Sequence, residues 1–175
     1  MRAFVTVGST KFDALVNSVF SEAVILSLSQ RGYTKLVVQC GNSTFEFADF
    51  VANGESQVLE KEGVEVEYWK FKPSLQEEFD KADLVISHAG SGTILDVLRL
   101  PKPLIVVPNP TLLDNHQEEL ATSLGDLGHL KATTAVLCRD LAKTIETFDV
   151  STIVPFPPFD GSKFARIVDE EMGFI

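Results

Sequence analysis

The segment Ser87-His88-Ala89-Gly90-Ser91-Gly92-Thr93 concentrates residues suited to holding an anion. It follows the apolar run Leu84-Val85-Ile86 and opens the helical pattern Ile94-Leu95-Asp96-Val97-Leu98. Gly90 and Gly92 let a backbone approach a ligand closely. Ser91 and Thr93 add hydroxyl donors. A helix start contributes unpaired N–H groups and the positive end of the helix dipole. Together these make a phosphate cradle, with His88 as a further donor to the same anion. Asp96, one turn into the helix, is placed to accept hydrogen bonds from ribose hydroxyls. The same residues also suit a tight strand-to-helix turn that needs glycine for geometry alone, because Gly-x-Gly is a weak signal.

A second loop, Pro108–Gln117, is long for an α/β connection, and long loops in compact domains are often functional. It ends in Asp114-Asn115-His116-Gln117 at a helix start. Asn and Gln amides can read sugar hydroxyls as donor and acceptor at once. The plainer alternative makes Asp114 an N-cap and leaves His116 and Gln117 solvated. Gly8-Ser9-Thr10 and Gly41-Asn42-Ser43 follow two further strands and read equally as ordinary turns. Phe71, in Lys70-Phe71-Lys72-Pro73-Ser74, either flanks a base or fills the core. His129 marks a helix terminus, where a positive charge is mildly favourable. No serine sits in a Gly-x-Ser-x-Gly context and no His/Cys cluster suits zinc. Cys40 and Cys138 fit no metal or redox spacing and read as plain thiols of a reducing compartment.

The elements that must position these loops alternate along the chain. Strands are predicted at Phe4–Val7, Leu36–Val38, Val64–Tyr68, Leu84–Ile86 and Leu104–Val107, with a sixth at Thr134–Leu137. Leu15, Val19 and Ala23, with Val16, Phe20 and Val24, lie on one face of a predicted helix closed by Gly32. Other helices are expected near 74–82, 92–100, 114–127 and 139–147. Fully apolar strands separated by helices indicate a parallel sheet covered on both faces. The fold class is therefore α/β, a Rossmann-like doubly wound domain over residues 1–154. Ligands of such sheets bind outside the carboxyl ends of the strands, so the loops above form one surface. Residues 155–175 comprise a Pro-rich linker, Pro155–Phe159, and a helix from Ser162, its expected N-cap. Phe164, Ile167, Val168 and Met172 share one face of that helix. It either folds back on its own domain or docks on a partner.

The 175 residues suffice for one buried core. Apolar residues make up 45% of them, as in a globular protein. The formal net charge is −10, so nucleic acid and anionic membrane surfaces are poor partners for the whole chain. No apolar run reaches the roughly 18 residues of a membrane-spanning helix. The N-terminus reads as a strand entering a turn and does not resemble a signal peptide. A cytoplasmic protein is expected.

Ala82-Asp83-Leu84-Val85-Ile86-Ser87-His88-Ala89-Gly90-Ser91-Gly92-Thr93 resembles the donor-binding signature of GT-B glycosyltransferases. Thr6–Leu15 and Asp114–Ala121 narrow the resemblance to the small cytosolic subunit of the UDP-N-acetylglucosamine transferase of dolichol-linked oligosaccharide synthesis. The chain is also similar to the C-terminal half of the bacterial MurG-type transferase. The resemblance spans roughly residues 3–130. It implies transfer of GlcNAc from UDP-GlcNAc to GlcNAc-diphospho-dolichol with inversion at the anomeric carbon. It places Ser91, Gly92 and Thr93 at the diphosphate with His88 beside them, and Gly90 among the residues that bind the substrate. Asp96 falls at the ribose, Phe71 at the uracil, and Asn115 and Gln117 at the GlcNAc hydroxyls. Gly8, Gly41 and Asn42 border the cleft that meets the acceptor half. No metal or other cofactor is expected, in keeping with the lack of an Asp-x-Asp motif. No residue here stands out as the catalytic base, so the base is expected on a membrane-anchored partner subunit that recruits this chain to the cytosolic face of the endoplasmic reticulum. Two readings compete: a non-catalytic sensor or scaffold that binds UDP-sugar, and half of a UDP-sugar epimerase, which normally carries both domains in one chain.

Overall fold

The computed structural model describes residues 1–51, 54–111, 116–133, 138–158 and 160–174. Seven strands form one sheet: β1 (Arg2–Thr6), β2 (Lys35–Gln39), β3 (Ser56–Lys61), β4 (Val64–Trp69), β5 (Leu84–His88), β6 (Leu104–Val107) and β7 (Lys131–Ala132). Their order is β3-β4-β2-β1-β5-β6-β7, and every pairing is parallel except the antiparallel hairpin of β3 with β4. Without β3, the parallel strands follow the doubly wound order that reverses between β1 and β5. Ligands of such sheets bind at that reversal.

The helices are α1 (Asp13–Val19), α2 (Glu22–Gln30), α3 (Gln76–Lys81), α4 (Ser91–Arg99), α5 (His116–Asp126), α6 (Cys138–Thr147) and α7 (Ser162–Glu171). Strand residues alternate between two cores. Ala3, Val5, Leu36, Val38, Leu84 and Ile86 face α1, α2 and α6, meeting Leu15, Ile25, Leu28, Leu141 and Ile145. Phe4, Val37, Val85, Leu104 and Val106 face the other side and meet Phe79 of α3, Ile94 and Val97 of α4 and Ala121 of α5. Burial on both faces explains why these strands are apolar throughout. A side chain such as the fully buried Ile94 contributes about 1.5–3 kcal/mol.

Several sequence expectations change. The single helix predicted before Gly32 is two, because Ser21 turns extended at ψ 147° and its Oγ accepts the Val24 N–H, starting α2 afresh. Gly32 does close α2, at φ +83°. β3 is an added edge strand. The last strand lies at β7, and the stretch 134–137 predicted for it falls outside the described residues. Ser162 is the first residue of α7 and Gly161 takes the N-cap position expected of Ser162, while Asp160 Oδ1 accepts the Ser162 N–H at 2.9 Å. None of the α7 residues is buried. Before it, Phe156 packs edge-on against His129, ring centroids 5.2 Å apart, and His129 Nδ1 lies 2.9 Å from the Val154 carbonyl. His129 thus lies beyond the end of α5 and anchors the segment leading into the Pro-rich stretch. No helix among the described residues is long and apolar enough to cross a membrane.

Candidate functional site

The loops following β1, β2, β4, β5 and β6 share one edge of the sheet. The connection after β5 is shorter than its sequence suggests. Ser87 and His88 pair with Val106 and Val107 of β6, so the strand continues through His88 and only Ala89 and Gly90 link it to α4. Gly90 is the N-cap of α4, and among the described residues no side chain caps the helix. The N–H groups of its first turn are therefore left for an outside acceptor. Ser91 and Gly92 are exposed there, and Thr93 is half-buried. A Cβ at Gly92 would meet nothing within 4 Å, so this turn is open to an approaching group. Asp96 sits one turn further on and is exposed.

Gly90 also makes room for its neighbour His88. The φ of −77° and ψ of 124° at Gly90 suit any residue. A Cβ here would stand 2.3 Å from His88 Nε2, and one on Gly8 would stand 2.7 Å from His88 Cε1. The imidazole is thus wedged between two glycines from the loops on either side of the β1/β5 reversal. Gly8 is also held at φ +60°, where glycine is favoured. His88 is buried, and among the described residues its Nδ1 has no partner in good hydrogen-bond geometry. Burial, partly opposed by the Thr6 backbone, pushes its pKa below the ordinary 6.5 and so favours the neutral ring at pH 7.

On the opposite rim Phe71 is 42% exposed, which removes the core reading for it. Its neighbours are tethered: Lys72 Nζ lies 4.5 Å over the Trp69 ring and 2.6 Å from Glu78 Oε1. Glu78 is buried and is also paired with Arg2. Gly41, at φ +54°, is enclosed by Val7 and the Thr10 carbonyl, and a Cβ would come within 3.1 Å of Val7 Cγ2. Asn42 beside it is exposed.

After β6, Asn109 builds the loop. It is buried, its Oδ1 accepts from Thr111 N–H and Oγ1 at 3.1 and 2.8 Å, and its Nδ2 donates to the Lys11 carbonyl at 3.3 Å. Its own N–H donates to Gln117 Oε1 at 3.1 Å, which leaves the Gln117 NH2 group as that side chain's outward donor. Asn115 and the Asp114 cap position lie outside the described residues. An open groove runs between Thr10–Ala14 and Asn109–Thr111.

Sequence reasoning missed Thr6, Gln39, Lys72, Glu78 and Asn109, the residues that hold the loops. For Thr6, Gln39 and Asn109 the available signal was a polar side chain at or just past the carboxyl end of an apolar strand, where burial demands partners.

A doubly wound sheet with an uncapped helix at its reversal point defines a Rossmann-like half-domain of the GT-B type. MurG from Acinetobacter baumannii shares the fold, with a TM-score of 0.66 at 20% identity over 87% of this chain and 42% of that one. Residues 2–153 match the glycosyltransferase family 28 C-terminal domain, and the chain belongs to that family. It is 35% identical over 184 residues to the UDP-N-acetylglucosamine transferase subunit ALG13 of Eremothecium gossypii, covering 95% of this chain and 90% of that one. Its likeness to the protein of the same name from Mus musculus is 43% over 141 residues, 81% of this chain and 11% of the mouse one. The chain thus spans only a small part of that mammalian relative. The NMR solution structure of ALG13 superposes with a TM-score of 0.68 at 30% identity over 95% of this chain and 94% of that one.

Proposed function

We propose that this chain is the donor-binding part of an N-acetylglucosaminyltransferase that moves GlcNAc from UDP-GlcNAc to GlcNAc-diphospho-dolichol. The observation that carries the reading is the uncapped, open N-terminus of α4 at the β1/β5 reversal. Charge grows on the UDP diphosphate as the glycosidic bond breaks. Preorganised N–H donors and a helix dipole stabilise that charge without a metal. Ser91, Gly92 and Thr93 hold the diphosphate in this reading. His88, neutral and with one N–H to give, lies beside it next to Gly90. Asp96 takes the ribose hydroxyls and Phe71 lies against uracil. Gln117, and Asn115 beyond the described residues, face the sugar. Gly8, Gly41 and Asn42 line the cleft toward the acceptor.

The acceptor hydroxyl needs a base within hydrogen-bond reach. Our reading places it on a membrane-anchored partner that brings this chain to the cytosolic face of the endoplasmic reticulum. The apolar face of α7 supports a docking role: Phe164 is 72% exposed, and Ile167, Val168 and Met172 are exposed with it. The test is reconstitution of the purified chain with a membrane-anchored partner subunit, UDP-GlcNAc and a GlcNAc-diphospho-lipid. The expected result is the disaccharide lipid only when both chains are present, and its loss when residues 160–175 are removed. UDP-GlcNAc binding without turnover under every condition would instead favour a sensor. An unimpaired complex after the truncation would remove α7 from the interface.

A further inference from the structure

Gln39 ends β2, and its side chain is 1% exposed. It stands in register with Trp69 of β4 on one side and Thr6 of β1 on the other. Every hydrogen-bonding position of its amide is used. Oε1 accepts from Thr6 Oγ1 at 2.6 Å and from the Val7 N–H at 3.1 Å. Nε2 donates to the Gly8 carbonyl at 2.9 Å and to the Lys70 carbonyl at 2.8 Å. Two carbonyls from separate loops thus converge on one NH2 group. Carbonyls cannot pair with each other, so an apolar side chain here would take this donor from both; the Lys70 carbonyl would keep the Gly41 N–H at 3.2 Å, while the Gly8 carbonyl would lose its link to that loop. Such a gap in a buried network is costly, and the loops would part to reach water.

The two loops matter for different reasons. Gly8 walls in the His88 imidazole. Lys70 precedes Phe71, on the opposite rim. Gln39 is the internal tie between these rims, and Thr6 Oγ1 extends it by accepting the Gly8 N–H at 3.0 Å. We propose that Gln39 is a positioning residue, touching no ligand, whose side-chain amide sets the spacing between the Gly8 loop and the Lys70–Phe71 loop and so the fit of a nucleoside diphosphate between them. The ligand part of this inference rests on the donor-site reading above; the clamp itself does not.

The test uses Gln39→Met, which keeps length and removes both donors, in the full chain. Without ligand, the amide NMR signals of Gly8, Gly41 and Phe71 are expected to shift together, while those of α6 stay in place. UDP affinity by calorimetry is expected to fall about tenfold. In a Phe71→Ala background the same substitution is expected to cost less, because Gln39 acts through that loop. A purely structural residue would give equal losses in both backgrounds. Equal losses, or unmoved loop signals in the folded variant, would overturn the proposal. Should Gln39→Met fail to fold, Gln39→Glu keeps the shape and the acceptor and is read in the same way. If the unsubstituted chain takes up no UDP, the donor-site reading fails, and the ligand-free loop signals alone then decide the clamp.

Discussion

Gly90→Ala isolates the wedge that holds His88. The added Cβ would lie 2.3 Å from Nε2, 3.0 Å from Cε1 and 3.1 Å from Cδ2 of the imidazole. The ring cannot swing away freely, because a plane of contact with Gly8 bounds it on the other side and the residue is only 6% exposed. The backbone at Gly90 is ordinary, so no dihedral penalty enters. The main cost is overpacking, about 1–3 kcal/mol. For a domain of this size that lowers Tm by roughly 2–4 °C per kcal/mol. Chemical denaturation of four proteins measures it: the unsubstituted chain, Gly90→Ala, His88→Ala and the double variant. The methyl is expected to be costly with His88 present and to change stability by less than about 0.5 kcal/mol without it. A methyl that costs the same in both backgrounds would refute the wedge, and the glycine would then be needed for something other than the ring.

Three further outcomes are expected. Gly92→Ala should stabilise the fold by up to about 1 kcal/mol, since alanine favours helix and the methyl meets nothing, yet weaken UDP binding; unchanged binding in calorimetry would move the diphosphate elsewhere. Asp96→Ala should leave Tm in place, as the side chain is exposed, and weaken UDP binding by about 1–3 kcal/mol; equal affinity would remove the ribose role. The pH dependence of stability should carry the mark of His88. Its folded pKa is lowered, so the unfolded chain takes a proton first as pH drops below 6.5. The stability from keeping the ring neutral is complete above 6.5 and drains as pH falls toward the folded-state value. Tm should therefore fall more steeply on acidification in the unsubstituted chain than in His88→Gln, and parallel slopes would contradict a buried neutral ring.

The parallel strands were legible because burial on two faces writes an uninterrupted apolar run, as in Leu104–Val107. β3 was not, because an edge strand needs no such run: Ser56-Gln57-Val58-Leu59-Glu60-Lys61 has only two apolar residues, and Val58 is 60% exposed. The break between α1 and α2 was hidden by Val16, Phe20 and Val24, which keep helical spacing across it and are all buried. Of the site, the helix start at Ser91 could be read locally from glycines and hydroxyls. The packing of His88 could not, since Gly8 is far from it in sequence and each glycine alone looks like a turn. Gln39 was invisible for the same reason. Its value comes from carbonyls and hydroxyls on strands paired only in the folded sheet.

The two-residue connection between β5 and α4 also bears on rates and entropies. With its strand locked between β1 and β6 and its helix packed with Phe79 and Leu104, the turn that opens α4 has little freedom to lose when it is filled. A site built this way is expected to bind with a small ordering cost and near a lock-and-key regime. On the proposed function, the slow rearrangement of a transfer cycle is expected outside this domain, in the coming together of this chain and its proposed partner.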